Sequence, residues 1–322
     1  MQEKGDSGSK VVLVYWLNLT NRELSIAEAL SLAKMCDVNA RIVKEENTKV
    51  YIAISKFKEC DLAYRIAFNK KVGILLTKNN LYDLNNAVRV ESDSLHLKKK
   101  AILRLMQQNV KLDPNSSIVV YVSAEHEYVL IKRIYKEAEF KERHPNARPG
   151  FMPFSLKPRI AQLLLNLAGV IPESKLLDPF AGVGGILIEG ELFAHADGYG
   201  IELYNDVLWK AVKNKFHYNC RFKLIKGDAT FLPFHHNSFD AIVSDLPYGR
   251  SSKQRKHFDE LYDSFFKEAY EVVKPDKYVV VMVNDPHLNP SYFETMGKFG
   301  LYAHRSLTRY IYILKSKKQN KR

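Results

Sequence analysis

The stretch that decides the fold is "KLLDPFAGVGGILIEG", residues 175–190. An apolar run ends in Asp178, and Gly182 and Gly184 then precede a second apolar run with helical spacing. A strand, a glycine-rich turn and a helix in this order bring the main chain close to a ligand, since glycine has no Cβ atom. The spacing is not the dinucleotide fingerprint GxGxxG, because Leu187 stands where the third glycine belongs. We therefore expect a nucleotide-like ligand other than NAD, with Gly182 and Gly184 in its binding loop.

Acidic residues end three successive predicted strands of this region. Asp178 would repel a pyrophosphate but suits a cationic group, such as the ammonium of S-adenosylmethionine. Glu202 ends the next strand, where a carboxylate can accept hydrogen bonds from both ribose hydroxyls. Asp228 follows the third strand and can accept from an adenine amino group, while the backbone of Ala229 meets the ring edge. Together these residues predict S-adenosylmethionine as cofactor, although a purely structural turn would also explain the glycines.

A second stretch, "FDAIVSDLPYGRSS" at residues 239–252, ends a buried strand in a carboxylate, a proline and an aromatic ring. The exocyclic amine of a base is a poor nucleophile. The carboxylate of Asp245 and a main-chain carbonyl, here that of Leu246, can accept its two hydrogens and stabilise the cationic nitrogen. Tyr248 can stack on the base, and Pro247 stiffens the loop. The alternative is a simple strand-ending turn.

This tetrapeptide resembles the [Asp/Asn/Ser]-Pro-Pro-aromatic signature of amino-group N-methyltransferases. Leu246 replaces the commoner proline, and a Leu-Pro-Tyr version is also similar to that of ribosomal adenine dimethyltransferases. The motif therefore indicates methylation of a base amine and leaves the identity of the base open.

The composition indicates a polyanionic partner. The 322 residues carry a formal net charge of +13, with an excess of basic residues in both halves of the chain. Nucleic acid is the first candidate, and solubility alone is the alternative. Two basic groups are candidate RNA contacts, one on a predicted helix and one beside the Asp245 loop: Lys98, Lys99 and Lys100, then Arg250, Lys253, Arg255 and Lys256. Idle, solvated surface is the other interpretation of both groups.

Other features narrow the class of protein. Cys36, Cys60 and Cys220 form no CxxC pair, which favours reduced thiols, a cytoplasmic location and no cysteine-based zinc site. No His, Cys, Asp and Glu cluster has metal-ligand spacing, so we expect no metal. The apolar run at 11–17 is too short to cross a membrane. A soluble monomer is expected.

The pattern of elements predicts several domains. Residues 1–77 have the order βαββαβ, typical of a ferredoxin-like region, with its second helix at 59–69. Residues 78–135 form a further α+β unit, and 136–150 have the composition of a linker. Residues 151–322 alternate strand and helix, which predicts a Rossmann-like α/β domain with a mostly parallel seven-stranded sheet. Its expected end is a helix at 291–298 and an antiparallel hairpin.

Two longer segments carry a family resemblance. "NAVRVES", followed by "LKKKAILRLMQQNVKLDPNSSIVVYV", resembles a THUMP domain, an RNA-binding module. "RPGFMPFSLKPRIAQLLLNLAGV", with "LLDPFAGVGG" and "DLPYGRSS", resembles the archaeal-type THUMP-containing tRNA guanine-N2 (di)methyltransferases. The resemblance implies that the THUMP domain binds the tRNA acceptor end and that a guanine N2 near position 10 is methylated. It implies cofactor contacts at Asp178, Gly182, Glu202, Asp228 and Asp245, with Phe154 and Ser155 beside the methionine end. From the residues alone, we expect Ser155 to be a helix N-cap.

Other functions stay open at this point. One is the same chemistry at another tRNA position, on rRNA, or on adenine N6. The other is a non-enzymatic THUMP RNA-binding protein with an inactive methyltransferase domain, which the intact glycine loop and Asp-Leu-Pro-Tyr disfavour. A THUMP domain disfavours DNA as substrate. The sequence does not distinguish one methyl group from two, nor show which tRNAs or accessory proteins are involved.

Overall fold

The computed structural model describes residues 11–55, 60–77, 86–247, 252–304 and 307–318, with side chains of the helix after residue 251 described from Phe258 onward. The chain divides into two compact units, unit 1 (Met1–Tyr135) and unit 2 (Lys136–Arg322). No helix in the described part of the chain is long and apolar enough to cross a membrane.

Unit 1 is built on a seven-stranded sheet with the order β2-β3-β1-β4-β7-β6-β5. Its strands are β1 (Val11–Trp16), β2 (Arg41–Glu45), β3 (Lys49–Ile54), β4 (Lys71–Leu76), β5 (Arg89–Glu91), β6 (Val119–Val122) and β7 (Tyr128–Ile134). Its helices are α1 (Arg22–Cys36) and α2 (Leu95–Gln107). All neighbours are antiparallel except β5 and β6.

The first four strands have the ferredoxin-like order, since β1 lies between β3 and β4 and β2 is at the edge. The predicted helix at 59–69 is wrong for the described residues, where only a short 3₁₀ helix, Asp61–Tyr64, is found. β7 pairs with β4, so the segments predicted as two domains share one sheet.

Helix α2 buries only part of its apolar surface. Ala101 and Leu105 are buried, but the apolar side chains of Leu95 and Met106 are exposed. Lys99 and Lys100 are exposed and Lys98 is half-buried. The helix therefore carries a surface that is both basic and apolar.

Cys36 and Cys60 form a disulfide, with their Cα atoms 5.7 Å apart. It ties the end of α1 to the segment after β3. The expectation of reduced thiols is wrong for this pair, because spacing in sequence says nothing about two residues that the fold brings together. Cys220 is free and buried.

Unit 2 is an α/β unit whose sheet has the order β10-β9-β8-β11-β12-β14-β13. The strands are β8 (Lys175–Asp178), β9 (Asp197–Glu202), β10 (Lys223–Lys226), β11 (Phe239–Asp245), β12 (Val273–Val283), β13 (Phe293–His304) and β14 (Leu307–Ser316). The helices are α3 (Pro158–Leu167), α4 (Gly185–Leu192), α5 (Asn205–His217) and α6 (Ser252–Val272). The first five strands are parallel, and β14 runs antiparallel between β12 and β13. The predicted class, a mostly parallel seven-stranded sheet, is confirmed.

The predicted helix at 291–298 is wrong, because β13 begins at Phe293 and pairs with β14 along its length. Gly297 and Gly300 disfavour a helix, and the aromatic residues Phe293, Phe299 and Tyr302 are of a type that favours a strand. Phe293 is buried against Phe266 of α6, which anchors the strand. Tertiary packing has overridden the local helical spacing here.

Residues 136–150, predicted as a linker, belong to unit 2 and are packed against the rest of it. Two 3₁₀ helices cover Glu137–Arg143 and Pro145–Ala147. Arg143 donates two hydrogen bonds to the fully buried Glu189 of α4, at 2.8 and 3.2 Å. Gly150 N–H donates to the side chain of Asn214 at 2.7 Å. These contacts fix the segment that leads into Phe154 and Ser155. The expected N-cap role of Ser155 is wrong, because α3 begins at Pro158 after Lys157 and the Ser155 hydroxyl donates to Met152 O at 2.8 Å.

Candidate active site

The site lies at the carboxyl ends of the parallel strands of unit 2. Two adjoining cavities open there and share four lining residues, Met152, Phe180, Gly182 and Asp245. The smaller measures about 150 Å³ and the larger about 820 Å³. Ligands bind at this edge in open α/β sheets, and the larger volume is in the range of small-molecule sites.

The predicted site residues divide between the cavities. The smaller is lined by Phe154, Ser155, Asp178, Gly182 and Asp245. The larger is lined by Gly182, Glu202, Asp228, Ala229, Asp245 and Pro247. Gly184 and Leu246 line neither cavity. Tyr248 and Arg250 lie outside the described residues, as do the side chains of Lys253, Arg255 and Lys256.

Asp178 is a buried carboxylate at the end of β8, with 1% of its surface exposed. It accepts hydrogen bonds from the Ser244 hydroxyl at 2.6 Å and from the Phe180 N–H at 3.3 Å. Burial raises the pKa of Asp178 to about 7, although these hydrogen bonds act in the opposite direction. The nearby Asp245 and Glu202 raise it further. A cationic ligand in the smaller cavity would remove this electrostatic strain.

Glu202, at the end of β9, is held in place by the glycine loop. Its two oxygens accept from Gly182 N–H at 3.0 Å and from Tyr204 N–H at 2.9 Å. Burial raises the pKa of Glu202, and the backbone donors oppose this. Each carboxylate oxygen has a second lone pair, so Glu202 can still accept from a diol in the larger cavity. Asp228 is exposed and accepts from the N–H and hydroxyl of Thr230, both at 2.8 Å.

The glycine loop needs its glycines for different reasons. Gly182 has a φ of +54° and lines both cavities, and a Cβ built there would meet only the Phe180 carbonyl, at 4.0 Å. A side chain at 182 would be strained and would fill ligand space. Gly184 has a φ of +83° and sits at the N-cap of α4, 3.4 Å from the Phe222 ring as measured from its Cβ position. Gly184 therefore starts the helix that supports the loop, and it lines neither cavity.

Asp245 ends β11 and lines both cavities. It forms an ion pair with Arg309 of β14, in which the guanidinium donates to one carboxylate oxygen. Burial raises the pKa of Asp245, and Arg309 opposes the shift. Leu246 is buried in the core, and its N–H donates to Met282 O at 2.9 Å. Tyr262 of α6 donates to the Pro247 carbonyl, so the loop is held from both sides.

Sequence reasoning missed Arg309, Ser244 and Tyr262. Ser244 directly precedes Asp245 at the end of β11, and only the pairing of β11 with β8 brings its hydroxyl to Asp178. Arg309 comes from an antiparallel strand near the end of the chain, and no local pattern links it to Asp245. Only the order of β12 and β14 in the sheet brings the two together.

A group of three carboxylates in unit 1 has oxygens close enough to hold a metal ion: Glu46, Glu125 and Glu127. The Lys44 ammonium lies 2.6 Å from Glu46 and 3.2 Å from Glu127, so two of these charges already have a cationic partner. The expectation of no metal stays a prediction.

Comparison with known proteins connects this site to a family. Residues 145–299 match the RMKL-like methyltransferase domain. A tRNA (guanine(10)-N2)-dimethyltransferase of Pyrococcus abyssi is 33% identical over 210 residues, which is 63% of each chain. A probable tRNA (guanine(10)-N2)-dimethyltransferase of Methanothermococcus thermolithotrophicus is 33% identical over 165 residues, 49% of this chain and 98% of that protein. The chain belongs to the tRNA (guanine(10)-N2)-dimethyltransferase family.

The match reaches just under two thirds of the length of the first of these relatives. The fold has a solved counterpart in TrmN from Thermus thermophilus, with a TM-score of 0.51 and 18% sequence identity over 95% of this chain and 99% of that one. The predicted family and the methyltransferase fold are both confirmed.

Proposed function

We propose that this protein is an S-adenosylmethionine-dependent tRNA methyltransferase that acts on the exocyclic N2 of a guanosine, at position 10. The observation that carries the proposal is the position of Asp245, which lines both the cavity of Asp178 and the cavity of Glu202 and Asp228. A carboxylate at this junction can contact an amine that is presented to a group bound across both cavities. Guanine, tRNA and position 10 come from the family and its relatives.

The residues of the site fit the cofactor. Asp178 is a buried carboxylate whose pKa is raised to about 7, which suits an ammonium partner. Glu202 has lone pairs left for ribose hydroxyls, and Asp228 and Ala229 also line the larger cavity. When bound, the cofactor supplies an electrophilic methyl group on a sulfonium. Phe154 and Ser155 line the smaller cavity beside Asp178.

The chain itself contributes orientation and electrostatics to the transfer. Asp245 accepts a hydrogen bond from the guanine amine and stabilises the positive charge that develops on its nitrogen. Leu246 offers its carbonyl as the second acceptor. Tyr262 fixes the neighbouring Pro247 carbonyl and with it the course of the loop. Tyr248, by its sequence position, is proposed to stack on the base.

Unit 1 is proposed to bind the tRNA. The THUMP resemblance covers β5, α2 and β6, and Lys99 and Lys100 are exposed on α2. Lys98 is a further proposed phosphate contact of unit 1. The four basic residues at 250, 253, 255 and 256 are the proposed phosphate contacts of unit 2. A monomeric, cytoplasmic enzyme is the simplest assembly and stays a prediction.

Mass spectrometry of nucleosides from tRNA, after incubation with the protein and S-adenosylmethionine, tests the proposal. We expect N2-methylguanosine or N2,N2-dimethylguanosine, and fragment mapping should place it at position 10. A tRNA with adenosine at position 10 is the matched substrate control and should stay unmodified there. Methyladenosine as the product, or no product with a cofactor-bound enzyme, would contradict the proposed function.

A further inference from the structure

Arg309 is the basic group that the structure places against Asp245. It comes from β14, which is separated from β11 by β12: Asp245 lies beside Met282, and Val283 lies beside Tyr310. The side chains of Arg309 and Asp245 are 10% and 22% exposed, so the ion pair is largely shielded from water. Arg309 also lies beyond residues 145–299, where the family match ends.

The other ionisable groups around Asp245 are acidic or neutral in the described part of the chain. Asp178 approaches from β8 and interacts repulsively with Asp245. The Tyr262 hydroxyl of α6 interacts electrostatically with Asp245, with Arg309 and with Asp285, which follows β12. In this setting a cationic partner lowers the pKa of a buried carboxyl group and so favours its ionised form.

We propose that Arg309 is a positioning residue that keeps Asp245 ionised and fixes one of its oxygens, so that the other oxygen faces the substrate amine. The inference rests on the proposed function, because it assigns Asp245 to that amine. The planar guanidinium gives the pair a defined direction, which a lysine ammonium does not.

The electrostatics agree with this geometry. Burial raises the pKa of Asp245, and the charge and hydrogen bond of Arg309 counteract the rise. Without Arg309 the carboxyl would hold its proton to higher pH. A protonated Asp245 has lost the negative charge that stabilises the cationic nitrogen, and one of its oxygens has become a donor.

The first test is the pH dependence of single-turnover tRNA methylation, at saturating cofactor, from pH 6 to pH 9.5. We expect Arg309→Gln to be at least tenfold slower than the wild type at pH 7 and to regain most of that loss as pH rises. Arg309→Lys should shift the dependence of the rate on pH less than Arg309→Gln does. The control is Lys315→Gln. Lys315 is a cation of the same strand, and its ammonium pairs with Asp276 at 3.1 Å. An Arg309→Gln profile that is parallel to the wild type at every pH would overturn the proposal.

The second test reads stability and needs no methylation. We expect Arg309→Gln to lower the melting temperature at pH 8 by several degrees, and Asp245→Asn to restore most of it in the double variant, because the unpaired buried charge is then gone. Purely additive losses would overturn the coupling of the two residues. If the coupling is found but no guanosine is methylated by the wild type, the proposed function fails and the pairing stands.

Discussion

Two buried carboxylates, one in each unit, show what separates a structural acid from a functional one. Glu28 of α1 is fully buried and accepts hydrogen bonds from the backbone N–H groups of three consecutive residues, 67–69, and from the Asn69 amide, at 2.8–3.0 Å. Asp178 of β8 is equally buried but faces a cavity, and its described hydrogen bonds come from Ser244 and Phe180.

The difference follows from the architecture around each acid. In unit 1 the antiparallel strands end at alternating edges, and Glu28 is used to hold the loop before β4. In unit 2 the parallel strands all end at one edge, where Asp178, Glu202 and Asp245 meet beside open space. A buried acid whose donors are all internal stabilises the fold, while one that faces a cavity is available to a ligand.

The largest expected contrast is in stability. Glu28→Ala leaves several buried N–H donors unsatisfied, at about 1–3 kcal/mol each, so the free energy of unfolding of unit 1 should fall by at least about 3 kcal/mol. Asp178→Asn keeps an acceptor for Ser244 and removes a charge that is costly above pH 7, so unit 2 should lose no stability at pH 8. Urea unfolding can follow each unit separately, because Trp16 lies in unit 1 and Trp209 in unit 2.

Single-tryptophan variants, Trp209→Phe and Trp16→Phe, would isolate the two signals. If Asp178→Asn lowered the free energy of unfolding of unit 2 as much as Glu28→Ala lowers that of unit 1, Asp178 would be a structural acid like Glu28. The proposed difference between the two acids would then be wrong.

Cofactor affinity should respond next. Asp178→Ala and Glu202→Ala should each weaken S-adenosylmethionine binding by about 1–3 kcal/mol, the value of a hydrogen bond to a charged group. Isothermal calorimetry measures this directly. Asp263→Ala, which removes an exposed carboxylate from α6, is the control and should bind normally. Binding of NAD in place of S-adenosylmethionine would disprove the assignment of the cavities.

Proton release on cofactor binding is a further property that should distinguish Asp178 from Glu28. The folded pKa of Asp178 is raised to about 7, so the acid is protonated at pH 6 in the free protein and must ionise to bind an ammonium. Binding at pH 6 should release close to one proton, and affinity should rise by up to about 1.4 kcal/mol per pH unit until pH 7. Calorimetry in two buffers of different ionisation enthalpy measures the release. Asp178→Asn should abolish it, and an unchanged release in that variant would assign the proton to another group.

The smallest effect concerns RNA binding by unit 1. Replacing both Lys99 and Lys100 by alanine should reduce the slope of log affinity against log salt for tRNA by roughly 1.4–1.8, as two phosphate contacts are lost. The same number of charges removed at Lys34 and Arg41, both exposed in unit 1, is the matched control. Equal slopes for both double variants would mean that α2 is ordinary surface.

The sequence predicted unit 2 better than unit 1 for physical reasons. In unit 2 a carboxylate stands at or just after the end of four predicted parallel strands. The structure places these residues at the expected edge of the sheet: Asp178, Glu202, Asp228 and Asp245. Contacts between segments that are far apart in the sequence could not be predicted from local patterns. The β4–β7 pairing, the Cys36–Cys60 disulfide and the Arg309–Asp245 pair each depend on long-range topology. Local spacing also misled at β13, where packing of Phe293 decided the structure.

The most direct test of the central claim is single-turnover methylation of tRNA by Asp245→Ala at saturating cofactor, with cofactor affinity measured on the same preparation. Asp245 is assigned to the amine in the transition state, so the rate should fall by about 10²–10³ while the cofactor dissociation constant stays nearly unchanged. Asp263→Ala should match the wild type in both measurements. A rate for Asp245→Ala within a few-fold of the wild type would show that Asp-Leu-Pro-Tyr is only a turn and would contradict the account.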